Sequence, residues 1–323
     1  MKQIAVLTSG GDAPGMNAAI RAIVRRAVSE GLRVLGVQNG YAGLMANTMI
    51  PLGSREVSGI LQRGGTMLGS ARSEEFKFVE GRQRALANLA ERGVDALVVI
   101  GGNGSQTGSL ALAEMGFPVV GVASTIDNDL LGTDVTIGTD SAINVAVEAI
   151  DRLKVTAESH GRGFVVETMG RDSGYVALMA GIAGGAELVS IPEQELSPEQ
   201  IVADLGAAFE RGKRHALVVV AEGVRCRATD IASYCEQHHS QVGFSLRVTI
   251  LGHVQRGSVP TAADRLLGSR LGSGAIDALL AGRSGVLVGL TNDAVSLTDI
   301  HEVGGKKKQV DAGLLSLART MAL

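Results

Sequence analysis

Eight short apolar runs constrain this chain more than any other feature. They are "IAVLTS" (4–9), "RVLGVQ" (33–38), "ALVVIGG" (96–102), "PVVGVAS" (118–124), "GFVVETM" (163–169), "ALVVVAEG" (216–223), "RVTILGH" (247–253) and "GVLVGL" (285–290). Continuous apolar runs of this length, without polar alternation, predict strands buried on both faces, which is the pattern of parallel sheets. Amphipathic stretches such as "MNAAIRAIVRRAVSEG" and "SAINVAVEAIDRLKVTAESH" separate many of them. Strands alternating with helices predict a doubly wound α/β architecture, in which ligands sit beyond the carboxyl ends of the strands. Eight or more strands in 323 residues predict two α/β domains, and no Pro- or Ser-rich linker, repeat or low-complexity segment marks the division.

Composition removes several function classes. With 45% hydrophobic and 20% charged residues the chain can build a sizeable core. A net charge of −3 supplies no basic field for nucleic acid or anionic lipid, and three Tyr, six Phe and no Trp offer little for base stacking. Cys226 and Cys235 stand without a second pair, so CxxC-type zinc sites are excluded and free thiols in a reducing compartment are expected. The apolar run in "MKQIAVLTSGG" is too short for a signal peptide or a membrane span, which predicts a soluble cytoplasmic protein.

The strand-end turns carry the chemistry. In "TSGGDAPGMN" (8–17), Gly10 and Gly11 allow close backbone approach before a helix N-terminus, the arrangement of an anion site. Neither GxGxxG nor the GK[ST] of a P-loop is present, which argues against a dehydrogenase. "GGNGS" (101–105) is a second cradle, with Ser105 expected to N-cap the next helix. "STIDND" (124–129) offers Asp127 and Asp129 two apart, on one side if extended, with Thr125 as a further oxygen donor. Such a set suits one base and one metal ligand in phosphoryl transfer; ordinary Asx-turn chemistry is the bland alternative. Arg162, Arg171, Arg247, His253 and Arg256 gather at strand ends, as phosphate recognition requires, with Glu222 at another.

Taken in order, "TSGGDAPGMNAAIRA", "RGGTMLGSAR", "ALVVIGGNGS", "STIDND", "EAIDRL", "VVETMGR" and "ILGHVQRG" resemble the bacterial 6-phosphofructokinase family, over residues 1 to about 270. The resemblance implies two Rossmann-like domains of interleaved segments: a nucleotide domain of 1–138 plus 252–301, and a sugar-phosphate domain of 139–251 plus 302–323. It implies a cytoplasmic, glycolytic, Mg²⁺- and ATP-dependent transferase acting on fructose 6-phosphate. A homotetramer with ADP or phosphoenolpyruvate as effector is also implied, and no nucleic acid or membrane partner. Asp127 is implied as general base, Thr125 as a positioning group, and Arg171 with the Gly11 amide as stabilisers of the transferring phosphoryl. ATP falls to Gly11, Tyr41, Arg72, Ser73 and Phe76, together with Gly102, Asn103, Gly104, Ser105 and Gly108. Asn103 and Asp129 make the metal site. The sugar phosphate falls to Met169, Gly170, Glu222, His253 and Arg256, joined by Arg162 and Arg247 of a neighbouring subunit; Thr125, Asp127, Asp129 and Arg171 also face it. The effector site is implied at Arg21, Arg25, Lys154, Glu187, Arg211 and Lys213.

Departures from the family pattern matter. Its GGDGS loop here carries Asn103. Losing one unit charge roughly 4 Å from a cation costs at most ~4 kcal/mol at an effective dielectric of about 20, a ceiling near a thousandfold in rate. Asp129 and the phosphates retain negative charge, so weakened rather than abolished catalysis is expected. Ser124 replaces the Gly of ATP-dependent forms and is not the Lys of pyrophosphate-dependent ones; Gly104 likewise disfavours pyrophosphate. Thr139, "QRGSVP", and Ser54 beside Arg55 are further changes, the last at the effector site. Two other readings stand beside the active kinase: a non-catalytic paralogue that binds these ligands and regulates a partner, and a kinase for another acceptor.

Overall fold

The computed structural model describes residues 1–321. Among them, eleven strands and twelve helices form two compact units, Met1–Ser141 with Arg256–Lys308, and Ala142–Gln255 continued from Gln309. The chain therefore crosses between units after residues 141, 255 and 308.

The first unit is built on a seven-stranded sheet. Its strands are β1 (Gln3–Thr8), β2 (Arg33–Val37), β3 (Met49–Leu52), β4 (Ala96–Gly101), β5 (Val119–Ala123), β10 (Val286–Thr291) and β11 (Ala294–Asp299). Their spatial order is β11-β10-β5-β4-β1-β2-β3. The five central strands are parallel and the two edge strands antiparallel, so this sheet is mixed. β1 and β4 are buried at every residue, as their unbroken apolar sequences require. Sequence order runs outward in opposite directions from the β1–β4 pair, which makes it the topological switch point where α/β sheets bind ligands. The turns after these two strands are the two glycine turns.

The helices of this unit are α1 (Met16–Ser29), α2 (Gly40–Met45), α3 (Val79–Glu91) and α4 (Asn103–Glu114), then α10 (Ala262–Leu280) and α11 (Ile300–Val303) late in the chain. α5 (Thr139–His160) starts here and continues into the second unit. Leu7, Val37, Leu44, Leu89, Leu97, Val99 and Leu112 form one core on a face of this sheet.

The second unit has a four-stranded parallel sheet: β6 (Gly163–Thr168), β7 (Leu188–Ser190), β8 (Ala216–Ala221) and β9 (Leu246–Ile250), in the order β7-β8-β6-β9. Its helices are α6 (Tyr175–Gly184), α7 (Pro198–Glu210), α8 (Ala228–Gln237), α9 (His239–Val242) and α12 (Ala312–Met321). Cores lie on both faces, one around Ile201, Leu205, Val218 and Ile231, the other around Ile150, Val166, Ala180 and Val219. β9 departs from the expectation of a fully buried strand. As an edge it leaves Arg247 exposed and Ile250 56% exposed.

Candidate functional site

At the switch point of the first unit the two glycine turns touch. The Ser9 amide donates to the Ile100 carbonyl at 3.0 Å, extending the β1–β4 ladder past Thr8. A Cβ on Gly101 would stand 2.4 Å from Ser105 Oγ and 2.6 Å from the Ser9 carbonyl oxygen, so only glycine closes this corner. Ser70 Oγ donates to the Gly10 carbonyl at 2.6 Å and pins the first turn from outside. Gly11 is bare against Arg256: a Cβ there would lie 2.3 Å from Nη1, which donates to the Asp12 carbonyl at 2.9 Å. Arg256 thus belongs to the first turn, with its guanidinium packed against Gly11.

The residue that caps α4 is Gly102, which brings no side-chain cap. Ser105, expected as the cap, is the third residue of the helix, because helical backbone begins at Asn103 directly after the strand. Its Oγ is buried without a hydrogen-bond partner. Among the described residues the first-turn N–H groups of α4 find no hydrogen-bond acceptor, and a helix N-terminus in that state favours an anion. Behind it, Tyr41 Oη donates to the Ser105 carbonyl at 2.7 Å, its ring stacks on Phe76 at 4.0 Å, and Gly108 lies against the same ring. Tyr41 and Phe76 are each only 5% exposed, so they back the turn rather than offer an open platform. Burial pushes the Tyr41 phenol far above its ordinary range. Arg72 is exposed, and Ser73 Oγ accepts from the Phe76 amide at 3.3 Å.

The acid loop follows β5, next to β4. It is not extended, so strand alternation does not orient its carboxylates: Ile126 and Asp127 form a turn and Asn128 adopts φ +48°. Asn128 holds that left-handed conformation by donating to the Asp134 carbonyl at 3.2 Å and accepting from the Thr136 amide at 3.1 Å. Asp127 is 7% exposed, and its amide donates to Thr125 Oγ1 at 3.2 Å. The Thr125 carbonyl accepts from Thr136 Oγ1 at 2.6 Å and Thr139 Oγ1 at 3.1 Å, which gives Thr139 a polar task that Phe could not perform. Ser124 is fully buried, its hydroxyl donating to the Ile137 carbonyl at 3.3 Å. Asn103 Nδ2 reaches across to the Asp129 carbonyl at 3.2 Å and joins the acid loop to the start of α4. The Lys308 amide donates to the same carbonyl at 2.8 Å, and Lys308 Nζ to those of Thr133 and Asp134 at 3.0 and 2.6 Å.

Among the described residues no cluster of three or more His, Cys, Asp or Glu could hold a metal. Two hard oxygen donors belong to the residues of this contact. Asn103 Oδ1 is buried without a hydrogen-bond partner, and the partly exposed Asp129 carboxylate follows directly from the carbonyl that Asn103 grips. Mg²⁺ takes one or two protein oxygens and completes its shell with water and phosphate, so this pair fits it.

In the second unit, Glu222 follows β8. Its Oε1 accepts from the Arg171 and Gly170 amides at 2.9 and 3.3 Å. That carboxylate holds a strained turn, since Arg171 has φ +53°. The Met169 amide donates to Gln255 Oε1 at 2.8 Å. Met169, Gly170, Arg171, Glu222 and His253 all lie just beyond the carboxyl ends of β6, β8 and β9. Arg162 and Arg247 stand at the opposite ends: Arg162 precedes β6, and Arg247 pairs with Phe164 near its start.

The expected effector residues divide. Lys213 Nζ bridges Glu187 at 3.1 Å, and Lys154 Nζ donates to the Gly184 carbonyl at 2.9 Å. Lys154 and Glu187 line a small surface recess shared with Phe164 and His215. Arg211 is exposed at the C-terminus of α7, while Arg21 and Arg25 lie on α1 in the first unit.

Three residues outside the sequence expectations organise these loops. Gln255, fully buried, spans the Met169 amide and the Ala142 carbonyl. Lys308 straps the acid loop as described. Asp264, 1% exposed, accepts from the Gly138 amide at 2.7 Å and from the Ser141 amide and hydroxyl at 2.8 and 2.6 Å. Burial raises its carboxyl above the usual range. The spacing Thr261-x-x-Asp264 is a capping-box signal that could have marked it; the Thr261 side chain does accept from the Asp264 amide.

The sequence profile of the family described as Phosphofructokinase matches residues 3–279. An ATP-dependent 6-phosphofructokinase 1 of Thermus thermophilus is 51% identical over 324 residues, covering 100% of both chains. An ATP-dependent 6-phosphofructokinase of Bacillus subtilis is 47% identical over 323 residues, again covering 100% of each. Among solved structures, phosphofructokinase from Saccharomyces cerevisiae superposes with a TM-score of 0.86 at 38% identity, covering 94% of this chain and 45% of the yeast chain. A pyrophosphate-dependent phosphofructokinase from Nitrosospira multiformis shares the fold, with a TM-score of 0.89 at 18% identity over 99% of this chain and 91% of its own.

Proposed function

This chain belongs to the phosphofructokinase family, and on that footing we propose that it transfers the γ-phosphoryl group of ATP to the 1-hydroxyl of fructose 6-phosphate. The observation that carries the reading is the meeting of two elements at one switch point. An uncapped helix N-terminus, suited to phosphate, is tied through Asn103 to a loop bearing a buried carboxylate, Asp127.

Asp127 takes the proton from the sugar hydroxyl as its oxygen bonds to the γ-phosphorus; the bond from that phosphorus to the β,γ-bridging oxygen breaks and ADP leaves. Thr125, whose Oγ1 holds the Asp127 amide, keeps the base in place. The Gly11 amide and Arg171 stabilise charge on the transferring group. Gly102, Gly104 and Ser105 supply backbone to the phosphates, and Tyr41, Phe76 and Gly108 back the nucleotide end, with Arg72 and Ser73 at its rim. Asn103 and Asp129 would hold Mg²⁺, which when bound neutralises phosphate charge. The seven-stranded unit serves the nucleotide and the four-stranded unit the sugar phosphate.

Met169, Gly170, Glu222 and His253 bind the sugar phosphate from one subunit and Arg162 and Arg247 from its neighbour, while Arg256 steadies the Gly11 turn. A homotetramer in the cytoplasm follows, with ADP or phosphoenolpyruvate at Lys154, Glu187, Arg211, Lys213, Arg21 and Arg25. Among the described residues no helix is long and apolar enough to cross a membrane. The non-catalytic reading draws no support from relatives named for ATP-dependent activity.

The test follows ³¹P resonances after adding ATP, Mg²⁺ and fructose 6-phosphate. Sugar-dependent ADP and fructose 1,6-bisphosphate are expected. Pyrophosphate should not replace ATP, because position 124 is Ser rather than Lys and position 104 is Gly rather than Asp, with open space beside it. Absence of sugar-dependent product, or faster turnover with pyrophosphate, would overturn the proposal.

A further inference from the structure

Asn103 stands at the first position of α4, where an acidic residue is ordinarily the better choice. A carboxylate in the first helical turn stabilises the helix through the exposed N–H groups and the dipole. The geometry explains the amide. Asn103 Nδ2 lies 3.2 Å from the main-chain carbonyl oxygen of Asp129, a group that can only accept. The orientation of the amide is thereby fixed, with nitrogen toward Asp129 and oxygen away from it. That oxygen, Oδ1, is buried and has no hydrogen-bond partner. The Asp129 carbonyl also receives the Lys308 amide at 2.8 Å, so two donors from distant parts of the sequence converge on one acceptor.

An ionised aspartate has no proton to give. Placed at 103 with the same shape, it would set one of its oxygens against the Asp129 carbonyl oxygen at the same separation. A donor would be lost and a repulsion gained in a half-buried position.

We propose that Asn103 is a positioning residue whose amide form is required by this site. Its nitrogen clasps the acid loop to the phosphate-binding start of α4 and fixes the backbone from which the Asp129 side chain departs. Its oxygen, turned away from the Asp129 carbonyl, remains as a neutral acceptor for a water or cation. The clasp rests on the reading above only in what Asp129 is used for; the contact itself does not depend on turnover. The site is thus built around an amide, and restoring the acid that the family carries here will not repair it.

Two variants, Asn103→Asp and Asn103→Ala, test this by two independent readouts. The first is thermal melting of ligand-free protein at neutral pH. The helix dipole alone ranks Asp above wild type; the clasp predicts wild type highest, Asn103→Ala lower and Asn103→Asp lowest, with each step a few degrees at most. Asn103→Asp melting at or above Asn103→Ala overturns the proposal, whether or not the protein turns over substrate. The second readout is steady-state kinetics. Asn103→Asp is expected to lower kcat three- to tenfold, with the KM for fructose 6-phosphate unchanged, since only one hydrogen bond near the nucleotide turn is lost. A kcat in Asn103→Asp above wild type overturns it equally. Failure to detect turnover in wild type would instead refute the kinase reading and leave the melting order to judge the clasp.

Discussion

Two variants, Arg162→Ala/Arg247→Ala and Glu222→Ala, are each expected to be inactive alone and to regain activity when the two chains are co-expressed. The reasoning begins with strand register. Thr168 pairs with Ala221, so Glu222 stands level with Met169. Arg162 precedes Gly163 at the other end of β6, and Arg247 is level with Phe164. Seven residues of strand at about 3.3 Å each separate Arg162 from the level of Glu222 by roughly 23 Å. One hexose phosphate plus the reach of an arginine side chain does not span that distance. If both groups bind the same sugar phosphate, they come from different subunits. In a mixed pair, one site then inherits both defects and the other inherits neither. Random assembly of equal amounts puts about half of the chains in mixed pairs with one intact site of two, so about a quarter of wild-type activity returns. The assay is coupled turnover of the co-purified chains against each variant alone, with circular dichroism showing that both fold. No recovery in demonstrably mixed assemblies would refute the shared site.

Asp264→Ala removes the acceptor of three donors at the start of α5 and should cost about 3 kcal/mol or more in urea unfolding, at about 1–3 kcal/mol per orphaned buried donor; a loss under about 1 kcal/mol contradicts this. Because burial raises the native Asp264 carboxyl above its unfolded value, its protonated form is favoured by folding. The stability of wild type relative to Asp264→Asn should therefore grow as pH falls from neutral through that raised value, and a constant difference argues against it. Tyr41→Phe deletes the hydroxyl that holds the Ser105 carbonyl, and about 1 kcal/mol predicts a roughly fivefold higher KM for ATP with kcat little changed. An unchanged KM would show that the hydroxyl does not support the nucleotide turn. If ADP or phosphoenolpyruvate changes the turnover of wild type, Lys213→Ala, which breaks the bridge to Glu187, should abolish that change while leaving basal turnover intact; a retained response moves the effector elsewhere.

The central strands were legible because their burial on both faces leaves unbroken apolar runs. β3, β7 and β11 were not. β3 is four residues containing Pro51, β7 only three, and β11 alternates on an exposed edge, joined to β10 by Asn292 and Asp293 at positive φ. Such segments owe their conformation to the neighbour they pair with and to turn residues, which a search for apolar runs overlooks. The glycine turns stand at the strand ends where the sequence pattern puts them, yet Ser105 is not the cap, since helical backbone starts directly after Gly102. The acid loop shows the same limit. Alternation along a strand cannot orient Asp127 and Asp129 when Asn128 reverses the backbone between them. Gln255, Asp264 and Lys308 escaped notice because their partners lie far away in sequence. Only the fold brings Lys308 to Asp129 or Asp264 to Gly138.

The central claim is that Asp127, buried at the end of β5, takes the proton in a sugar-dependent phosphoryl transfer from ATP. The direct measurement is kcat of wild type and Asp127→Ala in a coupled assay with ATP, Mg²⁺ and fructose 6-phosphate, both proteins shown to fold alike. The account predicts a rate about 10²- to 10⁴-fold higher in wild type, the usual contribution of a positioned base. Equal rates in the two proteins would contradict it.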